Sequence, residues 1–267
     1  MKRPPKQRPA PRSEDHRDFV TALKRGLEIL RSFEQGERLL GNAELAQRTG
    51  LPKSTVSRLT GTLSALGYLS ADSRLDKYQL GTGVLSLGYA FLSSLEVARL
   101  GVSPMRELAD YGKVNVGLAA PDHLDMVYVE AAIGSGNTFF QLSPGLRIPI
   151  ESTAAGFAFL STLSPRDQKA LLDHIRTARP QRFPKAVADL NKATAELAQR
   201  GFCIAEWQPD IIAAASPLLE ADGSCKFVFN CGGPKYMLTR KRLESELGPR
   251  LVNMVHNIRR HLPHGSR

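Results

Sequence analysis

The sequence predicts a multi-domain α+β chain, with an N-terminal winged helix-turn-helix, a long apolar helix and a C-terminal α+β domain built on an antiparallel sheet. Three observations predict it. Residues 42–80 carry the punctuation of helix, turn, helix and two short strands; the apolar period changes from three or four to two after Val114; and the positive charge gathers at one end.

Within the first unit, Ala22, Leu23, Leu27, Ile29, Leu30 and Phe33 mark a supporting helix between Phe19 and Phe33. Asn42 reads as the cap of a short helix over Ala43 to Thr49, stopped by Gly50. Pro52 opens a second helix, where Val56, Leu59, Leu63 and Leu66 recur at steps of three or four. Its opposite face, Lys53, Ser54, Ser57, Arg58, Gly61 and Thr62, is short, polar and basic, suited to a DNA groove. After Gly67, Tyr68–Ser70 and Lys77–Leu80 read as two strands around a polar turn, the form of a wing.

Thr82 to Leu100 holds too many apolar residues for one narrow stripe, so a single helix there needs cover on more than one side. Gly101 and Val102 are expected to break it, and Ser103 with Pro104 to start another helix through Asp110. Strands are then expected over 114–118, 126–129, 138–142, 202–206, 212–219 and 225–231, the last two joined by an Asp222-Gly223 turn. Helices are expected over 152–162, from Ser164, over 185–200 and over 239–261, with a loop at 180–184. Helices flanking an antiparallel sheet make an α+β domain.

Composition narrows the function. Fifteen Lys and Arg stand against nine Asp and Glu over residues 1–80, which places +6 of the formal +10 where DNA contact is expected. Cys203, Cys225 and Cys231 show no paired spacing, which fits free thiols in a reducing cytoplasm. No apolar run approaches the length that crosses a bilayer, so no membrane partner is expected. Residues 1–17 read as a disordered basic tail carrying Lys2, Arg3, Lys6, Arg8, Arg12 and Arg17. Nucleophile elbows, phosphate loops, dinucleotide fingerprints and zinc spacings are missing from the sequence, so no catalytic residue, cofactor or metal is expected. Asp122, Asp125 and Glu130 read as solubilising a hairpin from separate strand faces. An enzyme-like small-molecule domain fused to a DNA-binding module is the alternative from a different class, and a ligand-free architectural nucleic-acid protein is another. Small side chains at Ala154, Ala155, Ala205, Ala213 and Gly232 speak against the latter by leaving room in the second domain.

The runs Ala22-Leu23-Lys24-Arg25-Gly26-Leu27-Glu28-Ile29-Leu30, Glu44-Leu45-Ala46, Gly50 to Leu59 and Leu66-Gly67-Tyr68-Leu69 resemble the IclR family of bacterial transcriptional regulators. Ile148-Pro149-Ile150 through Gly156, Arg200-Gly201-Phe202, Ile212 to Pro217 and Gly233-Pro234 extend the resemblance over most of the chain. It implies a winged helix-turn-helix at 18–81, a linker helix at 82–101 that helps pair subunits, and a GAF-like effector-binding domain at 102–267. It also implies a homodimer or homotetramer, with Leu85, Leu92 and Leu95 near the seam, and a regulator of a double-stranded DNA operator that answers to a small organic acid.

The helix-turn-helix reading makes Lys53, Ser54, Thr55, Ser57 and Arg58 the candidates for base and phosphate contact, with Arg74 and Lys77 of the wing acting on affinity. The resemblance implies an effector site at Phe140, Ile148, Ala154, Ala155, Ala205, Ile211, Ala213, Asn230 and Gly232. In it, the helix start at Ala154 and Ala155 favours a carboxylate and Asn230 is the main hydrogen-bonding side chain.

Overall fold

Gly50 ends one helix of the first unit at φ +69°, a left-handed conformation that glycine adopts without cost, and the next helix follows almost at once. The computed structural model describes residues 19–34, 36–135 and 142–262; the expected tail over 1–17 lies outside them. The order in the first unit is α1 (Thr21–Arg31), β1 (Leu40–Gly41), α2 (Asn42–Thr49), α3 (Lys53–Ala65), β2 (Leu69–Asp72) and β3 (Lys77–Leu80). Ile29, Leu40, Leu45, Val56 and Leu69 close its core, with Leu59 and Leu63 packed against them.

Three expectations are corrected here, and one strand is added. The cap of α2 is Gly41, whose N–H donates to the Glu44 carboxylate at 2.7 Å, while Asn42 lies inside the helix and accepts from buried Thr60. Pro52 occupies the position before α3. Leu66 is 64% exposed, because α3 ends at Ala65 and the chain turns away through Gly67 at φ +78°. Strand β1 had no sequence signal at two residues; it pairs with β3 and makes the wing sheet β1-β3-β2. In the wing turn the Asp72 carboxylate accepts the N–H groups of Arg74 and Leu75.

The expected long helix is two. α4 (Thr82–Ser93) stops at Ser94, whose hydroxyl donates to the Phe91 carbonyl at 2.6 Å, and α5 (Glu96–Gly112) follows. A serine hydroxyl that takes a backbone carbonyl competes with helix continuation, which the apolar count could not reveal. Gly101 and Val102, expected to break the helix, and Pro104, expected to open the next, all sit inside α5: a side chain at Gly101 would press on Met105 and Phe229 at 3.3 to 3.4 Å, so the glycine serves a close approach. The two compact units part between Ala90 and Phe91, within α4.

The second unit continues with β4 (Asn115–Asp122), β5 (Asp125–Ile133), β6 (Arg147–Pro149), α6 (Ala154–Leu160), α7 (Pro165–Ala178), α8 (Phe183–Arg200), β7 (Cys203–Trp207), β8 (Ile211–Leu219) and β9 (Cys225–Pro234). α9 (Arg240–Arg242), a π-helical turn over Leu243–Leu247 and α10 (Gly248–His261) close it. The strands form one antiparallel sheet, β6-β5-β4-β9-β8-β7. β6 lies where only a lead into a helix was expected, and α8 starts inside the expected loop at 180–184. Of the expected strand over 138–142, only Leu142 falls within the described residues, and it is outside any strand.

Strand alternation divides the core. On β9, Phe229 and Cys231 join α5 and α10 in one apolar cluster, while Val228 joins α6 and α8 in the other. α6 packs so tightly on the segment that follows β6 that a Cβ at Gly156 would lie 2.0 Å from the Ile150 carbonyl oxygen. Since overpacking of this kind costs about 1–3 kcal/mol, Gly156→Ala is expected to lower the denaturation midpoint of the second unit markedly. The exposed change Gly88→Ala, with no atom within 4 Å of its new Cβ, should not lower it in the same urea titration.

Candidate functional sites

α3 is a helix without a single carboxylate, and its exposed residues include Lys53, Ser54, Ser57 and Arg58. Thr55 is half-buried. Val56 and Thr60 turn inward, and the Thr60 hydroxyl donates to the side-chain amide oxygen of Asn42, which ties α3 to α2. In the wing, Arg74 is exposed, but Lys77 lies 3.2 Å from the Glu44 carboxylate, so part of its charge is spent within the chain. Arg48 braces the rear of the unit, donating to the Ser32 carbonyl at 2.7 Å and to Glu37 at 2.6 Å. Those bonds hold the Glu37 carboxyl down at about 2.

The second unit contains a cavity between the sheet and the start of α6. Its free volume is about 40 Å³, and with the open mouth counted the space between its walls is about 500 Å³. Seven of the nine expected effector residues line it: Ile148, Ala154, Ala155, Ile211, Ala213, Asn230 and Gly232. Phe140 lies outside the described residues. Ala205 is corrected: β8 runs between β7 and β9, so Ala213 stands between Ala205 and Gly232, and a single methyl does not reach the void. Asn115, Tyr128, Leu142, Thr153, Trp207 and Gly233 complete the lining. The cavity-facing parity of the strands could have indicated Tyr128 and Asn115; nothing in the sequence marked Leu142.

The polar end of the cavity is built by three strands together. A Cβ at Gly117 would overlap the Tyr128 ring at 2.2 Å, so the glycine lets that ring lie across β4 towards Asn230. The Asn230 amide bonds to the Tyr128 phenol, and burial, the larger influence, keeps that phenol protonated. Asn230 is 7% exposed, and its Oδ1 has no hydrogen-bond partner among the described residues. Across the void, the Thr153 hydroxyl caps α6 by accepting from the Gly156 N–H at 3.2 Å and donating to the Pro149 carbonyl at 2.7 Å. No Lys or Arg stands among the described lining residues.

Just before Thr153, the carboxylate of Glu151 is buried. Arg179 meets it at 2.6 Å and also reaches Asp125 at 2.8 Å and the Leu124 carbonyl at 3.1 Å. Asp122 and Asp125, expected on separate faces, are cross-strand partners that share Arg147. A buried carboxylate is tolerable only when paired in this way, so the segment between β6 and α6 is anchored to the β4–β5 turn. Cys203 and Cys231 are buried on opposite faces of the sheet, and burial pushes both thiols up to about 12; Cys225 rises to about 11. Among the described residues no group of His, Cys, Asp and Glu could hold a metal, and no helix is long and apolar enough to cross a membrane.

The family model described as the IclR helix-turn-helix domain matches residues 22–73, and that for the bacterial transcriptional regulator IclR C-terminal domain matches residues 89–260. The chain belongs to the IclR family of transcriptional regulators. It is 31% identical over 244 residues to the HTH-type transcriptional regulator TsaQ1/TsaQ2 of Comamonas testosteroni, covering 90% of this chain and 87% of that one. A solved IclR family regulator from Brucella abortus superposes with a TM-score of 0.87 at 43% identity, over 96% of this chain and 97% of that chain. An IclR homolog from Microbacterium hydrocarbonoxydans, complexed with 4-hydroxybenzoate, shares the fold at a TM-score of 0.68 and 17% identity, over 90% and 98% of the two chains. The winged helix-turn-helix and the α+β effector-type domain of this IclR protein are therefore those of a DNA-binding regulator.

Two predictions follow from the geometry. The folded-state value of Glu37, about 2 against an ordinary 4.5, gives a contribution to stability that is present above pH 4.5 and lost as the pH falls towards 2. A Glu37→Gln variant should therefore melt below the parent at pH 7 and converge with it near pH 2, the gap shrinking in high salt. Cys203 and Cys231 should resist alkylation by iodoacetamide at pH 8 in the native protein, with half-buried Cys225 reacting before them, and all three should react promptly in urea, because a buried thiol offers almost no thiolate.

Proposed function

We propose that this IclR regulator reads an operator through the exposed face of α3 and that a small organic acid held in the second-unit cavity modulates that binding. The observation that carries the effector half is the cavity itself. It is a concave space lined mostly by apolar side chains with a few polar ones, Asn115, Tyr128, Thr153 and Asn230, at its walls, the composition of a small-molecule site. The acid character draws support from the first turn of α6, whose leading N–H groups have no intrahelical acceptor, and from the 4-hydroxybenzoate bound to the Microbacterium homolog. Ile148, Ala154, Ala155, Ile211, Ala213, Asn230 and Gly232 form the binding wall in this reading.

On the DNA side, Arg58 is the principal base-reading candidate, Lys53, Ser54, Thr55 and Ser57 add base or phosphate contacts, and Arg74 and Lys77 contribute to affinity. The proposed division is a DNA-binding domain at 18–81 and an effector domain from 102 onward. Assembly is the third part. No residue of α4 is buried, although the helix is strongly apolar, and Leu85 and Tyr89 are 71% and 70% exposed. Leu92 and Leu95 instead pack on the core of their own chain, so the seam of a homodimer runs through Leu85, Leu87, Tyr89 and Phe91. A dimer also supplies the two half-sites that one short recognition helix lacks.

Binding to operator and scrambled DNA tests the first part. Arg58→Ala should weaken operator binding about tenfold to a hundredfold, in keeping with the ~1–3 kcal/mol of a bidentate guanine contact, and scrambled DNA much less. Equal affinities in variant and parent would reject the assignment. Calorimetric titration of small carboxylic acids should show binding that the bulky Ala213→Phe substitution abolishes. Sedimentation at micromolar concentration should show a dimer or a tetramer, and Leu85→Glu with Tyr89→Glu should shift it towards monomer.

A further inference from the structure

Beyond the wing the positive charge of the chain is gathered in one place. Residues 81–247 hold seventeen Lys and Arg against seventeen Asp and Glu, whereas residues 248–267 hold four arginines, three histidines and no Asp or Glu. The whole excess after residue 80 therefore lies on α10 and the residues just beyond it. α10 buries Leu251, Met254, Val255 and Ile258, so the helical period turns Asn253, His256, Asn257 and Arg260 to the opposite side, with Arg259 at the margin. These five residues line a wide, shallow depression. Elsewhere in the unit Arg147, Arg179, Arg182, Arg200, Arg240 and Arg242 each meet a carboxylate. Arg259 only gives an N–H to the Glu220 carbonyl at 3.2 Å, and neither it nor Arg260 has a carboxylate partner among the described residues.

The make-up of this face selects the kind of anion it suits. Among the described residues no large apolar side chain of α10 is exposed, and a protein partner needs an apolar centre to its contact. The depression is open and polar, unlike the enclosed, mostly apolar site of a small molecule. Arginine and asparagine side chains donate to phosphate oxygens, contacts that carry no sequence information. An extended phosphate backbone meets all three conditions, and the chain is a DNA-binding regulator. We infer that the polar face of α10 is a second, sequence-independent contact to duplex DNA, made to phosphates beyond the operator. Arg259 and Arg260 supply its charge, and Asn253, His256 and Asn257 its hydrogen bonds. Counterion release gives such a contact a signature, because each phosphate neutralised adds about 0.9 to the slope of log affinity against log salt.

The full-length protein is titrated by fluorescence anisotropy over a series of salt concentrations. Two duplexes are used, centred on the operator it selects from a random-sequence library: one of about 20 base pairs, enough for two half-sites a turn apart, and one of about 60. The parent should bind the longer duplex more tightly and with the steeper slope. Arg259→Gln with Arg260→Gln should take about 2 from the slope on the longer duplex, weaken binding there about tenfold, and leave the shorter one at the parent value. Arg260→Gln alone keeps the Arg259 bond to Glu220, which guards against a folding defect, and should take about 1 from that slope. Arg166→Gln with Lys169→Gln removes the same charge from exposed positions on α7 and should leave both duplexes unaffected. An equal loss from the α7 pair, an equal loss on both lengths, or no loss on the longer duplex would each overturn the inference. Unchanged binding to the longer duplex, with fluorescent poly-glutamate held by the parent and not by the α10 variant, would overturn it in favour of an acidic protein surface.

Discussion

The alternation of β9 is the constraint on which the second unit depends. Flanked by β4 and β8, this strand cannot shift by one residue without exchanging every side chain between the two faces. With Phe229 and Cys231 committed to the cluster under α5 and α10, Val228, Asn230 and Gly232 must face α6. A polar residue is thereby held inside an apolar layer by the register of its neighbours. The bulge between Leu118 and Ala119 falls beside it, where β4 must accommodate both the Tyr128 pairing and the glycine beneath the Tyr128 ring.

Much of this was legible in the sequence wherever a local rule operates. Gly50, Gly67 and Gly201 end helices at positive φ, the alternation around Val116, Ile212 and Phe229 marks central strands, and the basic face of α3 follows from its spacing. What failed was what tertiary contact decides. The Ser94 hydroxyl ends α4, a two-residue β1 exists only because β3 offers it partners, and Pro104 is absorbed within α5. In the cavity, the wall residues implied by the family resemblance converge, but Tyr128, Trp207 and Thr153 enter from β5, β7 and the α6 cap. Their convergence depends on strand order, and the order β4-β9-β8-β7 joins segments more than a hundred residues apart. Ala205 illustrates the same limit: its parity is right, but its strand is one place too far out.

The free volume of the cavity is about 40 Å³, room for a few waters, so a larger occupant extends into the mouth or displaces a wall. The floor resists, since β4, β9 and β8 are laddered on both sides and a glycine at 232 already leaves no space for a Cβ against Ala213 at 2.6 Å. The β6–α6 segment resists as well, because moving it would uncouple a buried Glu151 from Arg179 and leave that charge unpaired. At the remaining side the end of β7, an edge strand, meets Ile211 through a short turn that Lys235 ties to the Glu206 carboxylate and the Asp210 carbonyl. A ligand shifts an equilibrium only by its differential affinity for two arrangements. The strands that carry Asn230 and Tyr128 serve as the fixed reference against which the ligand is measured.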